Sequence, residues 1–245
     1  MQVGNRAADI KAVLLTTDVT ESVVSESISK GCNLIISHHP LIFRGLKHLT
    51  GSTPQERCVE MAIRHDIAIY SAHTSMDSVL CGVSGRMADI LGLREQQILV
   101  PSGPSTHSKT SIHSINSKNS AVYGLGVIGI LPQPISAAEF VAMVKERFGA
   151  QYVRFTAWNK PVQRVALCGG AGAEFCENAI AAGADAYLTA DVKYHEFCDA
   201  NGRILLVDID HWVSEHYTRD IYKELLEKHV PCYISEADKT PVCVL

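Results

Sequence analysis

Leu34-Ile35-Ile36-Ser37-His38-His39-Pro40 is the stretch around which the chain is organised. Three aliphatic residues in succession, two of them β-branched, predict a buried β-strand. Pro40 has no backbone N–H and favours an extended backbone at His39, so the strand should end there. The stretch therefore predicts two adjacent imidazoles at the carboxyl end of a core strand, where open α/β sheets bind ligands. The alternative is a chance pair of histidines in a surface turn.

The composition is that of an ordinary globular protein and narrows the choice of partner. A chain of 245 residues has room for one large domain or two modest ones. A net charge of -4 and a pI near 6.2 argue against a nucleic-acid-binding surface. No apolar run approaches the roughly 20 residues of a membrane span, and the first residues lack the apolar core of a signal peptide. We therefore expect a cytoplasmic protein without a membrane partner.

The eight cysteines are scattered along the chain without a Cys-x-x-Cys pair. Several lie within apolar segments, where a free thiol packs as a small hydrophobic group. We expect them to be reduced and structural, and not to bind metal.

Strand and helix patterns alternate through the first part of the chain. Strands are predicted at 12–16, 34–36 and 67–70. The first helix is capped by Thr20 and ended by Gly31, and further helices are predicted at 54–65 and 84–91.

The second part of the chain repeats this order. Strands are predicted at 165–168, 186–189 and 204–207, with a helix at 174–182 before Gly183. Aligning Gly31 with Gly183 gives an offset of 152 that matches strand, helix and strand without a gap. An offset of 138 then pairs the sequence around His73 with that around His211. These matches predict a degenerate duplication.

The predicted fold class is α/β, with two lobes that are pseudo-duplicated halves, each with a mixed sheet flanked by helices. The first α/β repeat is assigned to 1–101 and the second to 121–245. Residues 102–120 are rich in serine and too polar for a core, so we interpret them as a linker or loop between the halves.

A glycine-rich segment at 123–129 superficially resembles a nucleotide-binding loop. Its last spacing is wrong, and the next helix begins only near Ser136, where Ser136 and Glu139 form a capping-box pattern. We therefore predict a turn between strands at 123–129.

Three predicted strands end in residues that can bind metal. The candidates are His38 and His39, His73 with Asp77, and His211 with Glu215. A histidine and a carboxylate four residues apart lie on one face of a helix, and we expect Glu215 to begin the helix that follows. Imidazoles and carboxylates without a thiolate suit Zn, Mn, Fe, Co or Ni. Six candidates exceed the three ligands of a catalytic zinc, which predicts two divalent cations bridged by a carboxylate, with Glu215 as the natural bridge.

With these motifs the chain resembles the Ngg-interacting-factor-three-like family, whose bacterial members are commonly labelled GTP cyclohydrolase 1 type 2 homologues. The resemblance covers nearly the whole chain. It rests on Ile36-Ser37-His38-His39-Pro40-Leu41-Ile42-Phe43, Tyr70-Ser71-Ala72-His73-Thr74-Ser75-Met76-Asp77, Ala166-Leu167-Cys168-Gly169-Gly170-Ala171-Gly172, Thr189-Ala190-Asp191-Val192-Lys193-Tyr194-His195 and His211-Trp212-Val213-Ser214-Glu215. It implies a dinuclear metal centre in a two-lobed α/β fold, assembled as a toroidal homohexamer.

Residue by residue, the resemblance also implies an assignment of the metal ligands. His39 and Asp77 would bind one cation, and His38 and His211 the other. Glu215 would bridge both. Each subunit would then hold two divalent metal cations.

The resemblance gives His73 and His195 positions near the centre, with supporting or proton-transfer roles. The sequence departs from the family pattern in two places. Family members usually begin with a helix and a Trp-Asp-Asn-x-Gly-Leu segment, and this chain starts just after it. Ala190-Asp191 replaces the commoner Gly-Asp or Gly-Glu, a mild change if the backbone of Ala190 is ordinary and a strained one if it is left-handed.

Two bound cations would make hydrolysis of a small nucleotide- or pterin-like molecule the leading hypothesis for function. The cyclohydrolase label itself rests on family naming, and a family does not fix a reaction. Two alternatives remain open: a non-enzymatic metal-binding protein that interacts with or regulates protein partners, and a protein of metal storage or delivery. The sequence does not separate the three.

Overall fold

The computed structural model describes residues 1–102 and 122–245, which form two compact units, each with its own sheet. The first unit contains Met1–Met76 and His216–Cys243. The second contains the described residues of Asp77–Glu215, together with Val244–Leu245. Both units combine a sheet with flanking helices, so the predicted α/β class is confirmed.

The predicted strand–helix series of each half is present, with further elements between and after them. The chain starts in the first unit with β1 (Val13–Thr16), α1 (Glu21–Ser29), β2 (Leu34–Ser37), α2 (Pro54–Arg64), β3 (Ala68–Ser71) and α3 (Thr74–Asp77). It continues with α4 (Val83–Ile90), β4 (Arg94–Pro101), β5 (Gly124–Ile135), α5 (Ala137–Phe148), β6 (Arg154–Phe155), β7 (Val162–Leu167), α6 (Cys176–Ala181), β8 (Ala186–Ala190), α7 (Tyr194–Ala200), β9 (Leu205–Ile209) and α8 (His211–Glu215). It ends in the first unit with α9 (Thr218–Leu226) and β10 (Cys232–Ile234).

The sheet of the first unit has the order β10-β1-β2-β3, and all three pairings are parallel. One antiparallel bridge, between Val3 and Ile69, extends it. Successive side chains of a strand point to opposite faces, and both faces are covered. Ile35 packs in the core that contains α1 and α2 residues, whereas Ile36 packs with Tyr222 of α9. Because β2 and β3 are parallel neighbours, their carboxyl ends lie at the same edge of the sheet.

Helix ends in the first unit follow from local side-chain chemistry. The Thr20 hydroxyl accepts the backbone N–H of Val23 at 3.3 Å and caps α1. Thr53 does the same for Glu56 at 3.2 Å, with Pro54 in the first turn of α2, where its missing N–H costs nothing. Among the described helices of both units, none is long and apolar enough to cross a membrane.

The sheet of the second unit has the order β4-β5-β7-β8-β9-β6. Its centre, β7-β8-β9, is parallel, and the outer strands β4, β5 and β6 pair antiparallel. On one face the buried side chains of Ala166, Tyr187 and Leu206 pack with residues of α6 and α7. The parallel centre is therefore the counterpart of β1-β2-β3 in the first unit.

The glycine-rich segment is part of a strand, so the predicted turn at 123–129 is wrong. β5 pairs with β4 on one side and β7 on the other. Gly126 has a φ of 66°, and a Cβ there would lie 3.0 Å from the carbonyl oxygen of Leu167 and 3.3 Å from the side chain of Leu99. Glycine therefore allows the strands to approach closely, and the glycines that suggested a turn serve the sheet instead.

The division into units differs from the predicted 1–101, 102–120 and 121–245. The boundary falls between Met76 and Asp77, and residues 216–243 return to the first unit because β10 pairs with β1. Of the predicted loop 102–120, only Ser102 belongs to the described residues, and its N–H donates to the carbonyl oxygen of Tyr123 at 2.8 Å. The remainder of that predicted loop, 103–120, lies outside them.

Strand register supports the duplication. Val13 pairs with Leu34 in the first unit, and Val165 pairs with Ala186 in the second, so the first two strands keep the offset of 152. Along the third strand the pairings give an offset of 137, not 138. Counted from the equivalent pairs Ser37–Ser71 and Thr189–Asp208, His211 therefore lies one residue further along the chain than His73 does.

Candidate metal centre

Three imidazoles converge at the carboxyl edge of the first unit's sheet. His38 and His39 follow β2, and His73 follows the neighbouring strand β3. Each offers a ring nitrogen, and these nitrogens all lie within 4.8 Å of one another. The ring centroids are 5.0 to 5.5 Å apart. We refer to these three residues as the histidine cluster.

Backbone hydrogen bonds fix the turn that carries the first two histidines. The N–H of His38 donates to Thr16 at 3.1 Å, and that of His39 donates to Thr17 at 2.9 Å. The Ser37 hydroxyl donates to the carbonyl oxygen of His39 at 2.7 Å. His38 is fully buried, whereas the side chain of His39 is 23% exposed. The polar residues that end β2 therefore hold one imidazole inside the protein and the other at its surface.

The donor set of the histidine cluster fits a divalent transition metal. A zinc ion binds imidazole nitrogens at about 2.0–2.1 Å, so two nitrogens on one ion are at most about 4.2 Å apart. The three ring nitrogens of the cluster lie within 4.8 Å of one another, close to that span. Three imidazoles suit Zn, Cu, Fe or Ni better than Mg or Ca, which prefer oxygen ligands.

A carboxylate contacts one histidine of the cluster, His39. Oδ1 of Asp18 lies 2.9 Å from Nδ1 of His39. An ionised carboxylate only accepts hydrogen bonds, so Nδ1 carries the proton. In the neutral imidazole Nε2 is then the acceptor nitrogen, the form in which a histidine binds metal.

In the second unit, a histidine and a carboxylate meet on the short helix α8. The carboxylate of Asp210 accepts the N–H of Val213 at 3.2 Å and caps the start of this helix. Because His211 and Glu215 are four residues apart on it, Nε2 of His211 lies 2.9 Å from Oε2 of Glu215. The Glu215 side chain is only 5% exposed. The expectation that Glu215 begins the next helix is wrong: Glu215 ends α8, and α9 begins at Thr218.

Asp191 contacts the other ring nitrogen of His211, with Oδ2 lying 2.8 Å from Nδ1. Burial of the imidazole opposes its protonation, but hydrogen bonds to Glu215 and Asp191 prevail and raise the pKa of His211 to about 9. Asp191 has a left-handed backbone with φ 56°, whereas Ala190 does not. Alanine in place of the family's commoner glycine is therefore the mild change of the two considered.

Gly170 leaves the space that Glu215 occupies. A Cβ at this position would lie 2.1 Å from Oε1 of Glu215 and 3.4 Å from Cε1 of His211. The N–H of Gly170 donates to the hydroxyl of Ser214 at 2.9 Å, and that hydroxyl donates to the carbonyl oxygen of His211 at 2.7 Å. The loop after β7 is therefore fastened to α8 beside the buried carboxylate.

Asp77 is the first residue of the second unit and ends α3. Burial raises the pKa of the Cys168 thiol to about 12, and the negative charges of Asp77 and Glu215 add to this effect. Both carboxylates therefore act electrostatically on the residue that follows β7. All eight cysteines are free thiols, of which three are buried (Cys32, Cys58 and Cys168) and three are exposed (Cys81, Cys198 and Cys243).

The two histidines predicted to transfer protons, His73 and His195, lie in different surroundings. His73 joins the histidine cluster, at a distance from His38 and His39 suited to a ligand. His195 is exposed on α7, and its ring contacts that of Tyr194 at 5.3 Å. Among the described residues, His195 forms no group with His211 and Glu215 in which all ligand atoms lie within 4.8 Å. A role for His195 remains a prediction.

Sequence reasoning missed the roles of Asp18, Asp191 and Gly170. Asp18 precedes the helix that Thr20 caps, and its contact with His39 spans 21 residues. Asp191 and Gly170 lie within the motifs that carry the family resemblance, which was the available signal.

Fold and donor chemistry together define an α/β protein with histidine and carboxylate groups at its sheet edges. The family model for Duf34/NIF3 (NGG1p interacting factor 3) matches residues 1–241, and the chain belongs to this family. The membership predicted from the motifs is thus confirmed.

Relatives and solved structures agree with this membership. A "GTP cyclohydrolase 1 type 2 homolog" of Streptococcus pneumoniae serotype 4 is 34% identical over 227 residues, covering 90% of this chain and 79% of the relative. One of Clostridium perfringens is 30% identical over 247 residues, covering 98% and 88%. The crystal structure of a Bacillus cereus protein related to NIF3 has a TM-score of 0.88 and 25% identity, covering 100% of this chain and 92% of that one.

Proposed function

We propose that this protein binds two divalent cations and hydrolyses a small nucleotide- or pterin-like substrate. The proposed ligands are His38, His39, Asp77, His211 and Glu215. The observation that carries the proposal is the position of two proposed ligands, His38 and His39, in the histidine cluster, whose ring nitrogens lie within 4.8 Å of one another. Imidazoles at the carboxyl edge of a parallel sheet stand where such sheets place their ligands.

Bound Zn, Mn, Fe, Co or Ni would supply Lewis acidity and activate water for attack on the substrate. The residues of the chain would bind these cations and orient the reacting groups. Glu215 is buried, so its charge favours a cation partner. His73, beside His38 and His39, is suited to move a proton because an imidazole exchanges protons near neutral pH.

The names of the relatives support the substrate class. Curated relatives are named "GTP cyclohydrolase 1 type 2 homolog", a name that concerns a guanine nucleotide. We therefore propose a purine nucleotide or a related fused ring as the first substrates to examine. The proposed homohexamer, inherited from the resemblance, is measured by light scattering on the same preparations.

The metal content of purified, reconstituted protein tests the first half of the proposal. We expect about two divalent cations per chain in the wild type, measured by plasma mass spectrometry after gel filtration. His38→Ala and His211→Ala should each lose metal, and losing His38 should empty one position more readily than the other. His65→Ala is the matched control, since His65 is exposed at the end of α2, and it should keep the wild-type content. Equal metal content in all four proteins would refute the proposed ligands.

Turnover tests the second half. Metal-loaded wild type is incubated with GTP, other nucleoside triphosphates and pterins, and products are separated by chromatography. We expect one class to be hydrolysed and Asp77→Ala to lose both metal and activity. Activity that persists at full rate in metal-free Asp77→Ala would exclude the mechanism. Stable metal without turnover would instead favour an interaction role, and rapidly exchanging metal would favour storage or delivery.

A further inference from the structure

Two carboxylates outside the proposed ligand set contact proposed metal-binding histidines. Asp18 contacts His39, and Asp191 contacts His211. We infer that Asp18 and Asp191 are positioning residues, which hold the rings of these two histidines with Nδ1 towards the aspartate, so that Nε2 is the nitrogen presented to a cation. The inference deepens the proposed function and rests on it.

The two contacts have the same geometry although they belong to different units. Each joins a carboxylate oxygen to Nδ1, at 2.9 Å for Asp18 and 2.8 Å for Asp191. A hydrogen bond on one ring nitrogen decides which nitrogen binds metal. In His211 the opposite nitrogen, Nε2, already faces Glu215 at 2.9 Å. The ring is thus held between a carboxylate that orients it and a carboxylate that is itself a proposed ligand.

The backbone at Asp191 is the second observation. Asp191 has φ 56°, a left-handed conformation that an L-residue adopts at a cost. The following residue is fixed on both sides: the N–H of Val192 donates to the buried carboxylate of Asp208 at 3.0 Å, and Arg154 donates to the carbonyl oxygen of Val192 at 3.0 Å. The loop is held in place before any cation binds, so the Asp191 carboxylate is already set against the ring.

The left-handed backbone makes two variants of Asp191 informative. Asp191→Gly suits the conformation but removes the carboxylate. Asparagine in Asp191→Asn also tolerates the left-handed backbone, and its amide oxygen can accept a hydrogen bond from the Nδ1–H of His211. If Asp191 served only the backbone, glycine would be an adequate replacement. If it orients His211, asparagine should retain function and glycine should not.

Asp18 offers the corresponding test in the first unit without backbone strain. Its carbonyl oxygen accepts the Thr16 hydroxyl at 2.7 Å, a contact that side-chain substitution leaves available. Asp18→Ala should therefore remove the support of His39 with little change in the loop. Asp18→Asn should retain most of this support of His39.

Zinc affinity is the first readout, measured on the full chain by competition with a chromophoric chelator. Loss of a carboxylate that supports a metal-binding histidine typically weakens affinity about 10- to 100-fold. We expect this loss in Asp191→Gly and Asp18→Ala, and a smaller one in the asparagine variants. Asp66→Gly is the matched control, because Asp66 is exposed and has φ 52°. It should keep wild-type affinity.

Crystal structures of the metal-free proteins give a readout that does not depend on zinc. We expect His211 to keep its rotamer in wild type and Asp191→Asn, and to leave it in Asp191→Gly while the melting temperature is unchanged or higher. An unchanged rotamer in Asp191→Gly, or affinity equal to that of the wild type, would overturn the inference. A wild type that binds no zinc would reject the proposed function, and the rotamers would still decide whether Asp191 orients the ring.

Discussion

Replacing Gly170 by alanine tests whether the buried Glu215 carboxylate is held in place by the loop after β7. Gly170 has φ 65°, and its Cβ would lie 2.1 Å from Oε1 and 3.0 Å from Cδ of Glu215. Ordinary contacts of a Cβ begin at 3.4 Å, so Oε1 must move by about 1.3 Å. The carboxylate is nearly buried and bonded to His211, which leaves it little room to yield.

Two effects add in Gly170→Ala. The left-handed backbone costs alanine about 1–2 kcal/mol of folding free energy. Displacing Glu215 adds to this and also disturbs the proposed centre, because ligand distances in metal sites tolerate only about 0.2 Å. A displacement of about 1.3 Å is several times larger, so zinc affinity should fall at least about 10-fold, the lower end of the loss seen when a ligand's support is removed.

Gly183→Ala separates the two effects. Gly183 has φ 72° in the same unit, and a Cβ there would have nothing within 4 Å. It should show only the backbone cost, measured by urea unfolding, and full zinc affinity, measured by chelator competition. The reasoning is refuted if Gly170→Ala matches Gly183→Ala in both stability and affinity.

Two further predictions concern the first unit. Hydrogen bonds from the backbone and side chain of Thr50 and from Ser52 lower the pKa of Glu56 from 4.5 to about 2, although burial opposes this. The ionised Glu56 carboxylate therefore stabilises the fold fully above pH 4.5, and this stabilisation is lost as the pH falls through about 2. The difference in melting temperature between wild type and Glu56→Gln should narrow over that range. A constant difference would contradict the prediction. The buried Tyr222 donates its hydroxyl to the carbonyl oxygen of Ala72 at 2.8 Å. Tyr222→Phe should lose about 1 kcal/mol in urea unfolding, and an unchanged midpoint would exclude that contribution.

The elements near the candidate centre were the most predictable part of the fold. β2 is a run of aliphatic residues ended by polar ones and a proline, and the structure places it between two parallel neighbours. The apolar run is informative there because a strand that is buried on both faces needs continuous apolar residues. The i,i+4 contact of His211 and Glu215 was predictable for a related reason: helical geometry is local.

What the sequence did not reveal depends on contacts between distant residues. β5 looked like a turn because its glycines are weak strand formers, and only its pairing with β4 and β7 makes it a strand. Asp18 and Asp191 lie 21 and 20 residues from the histidines that they contact. Neither spacing corresponds to a period of helix or strand, so no local pattern indicates these contacts.

At an offset of 152, corresponding positions of the two units carry different groups. In that alignment Asp18 corresponds to Gly170, and His39 corresponds to Asp191. In the first unit the aspartate supports the histidine, with both on loops after strands. In the second unit the first position is a glycine, which leaves room for Glu215, and the second is the aspartate that contacts His211. A return to the first pattern, with an aspartate at Gly170, would place a second carboxylate against Glu215 with a Cβ contact of 2.1 Å. Steric exclusion and charge repulsion both oppose it, so the difference between the halves is a physical requirement of burying Glu215 beside that loop.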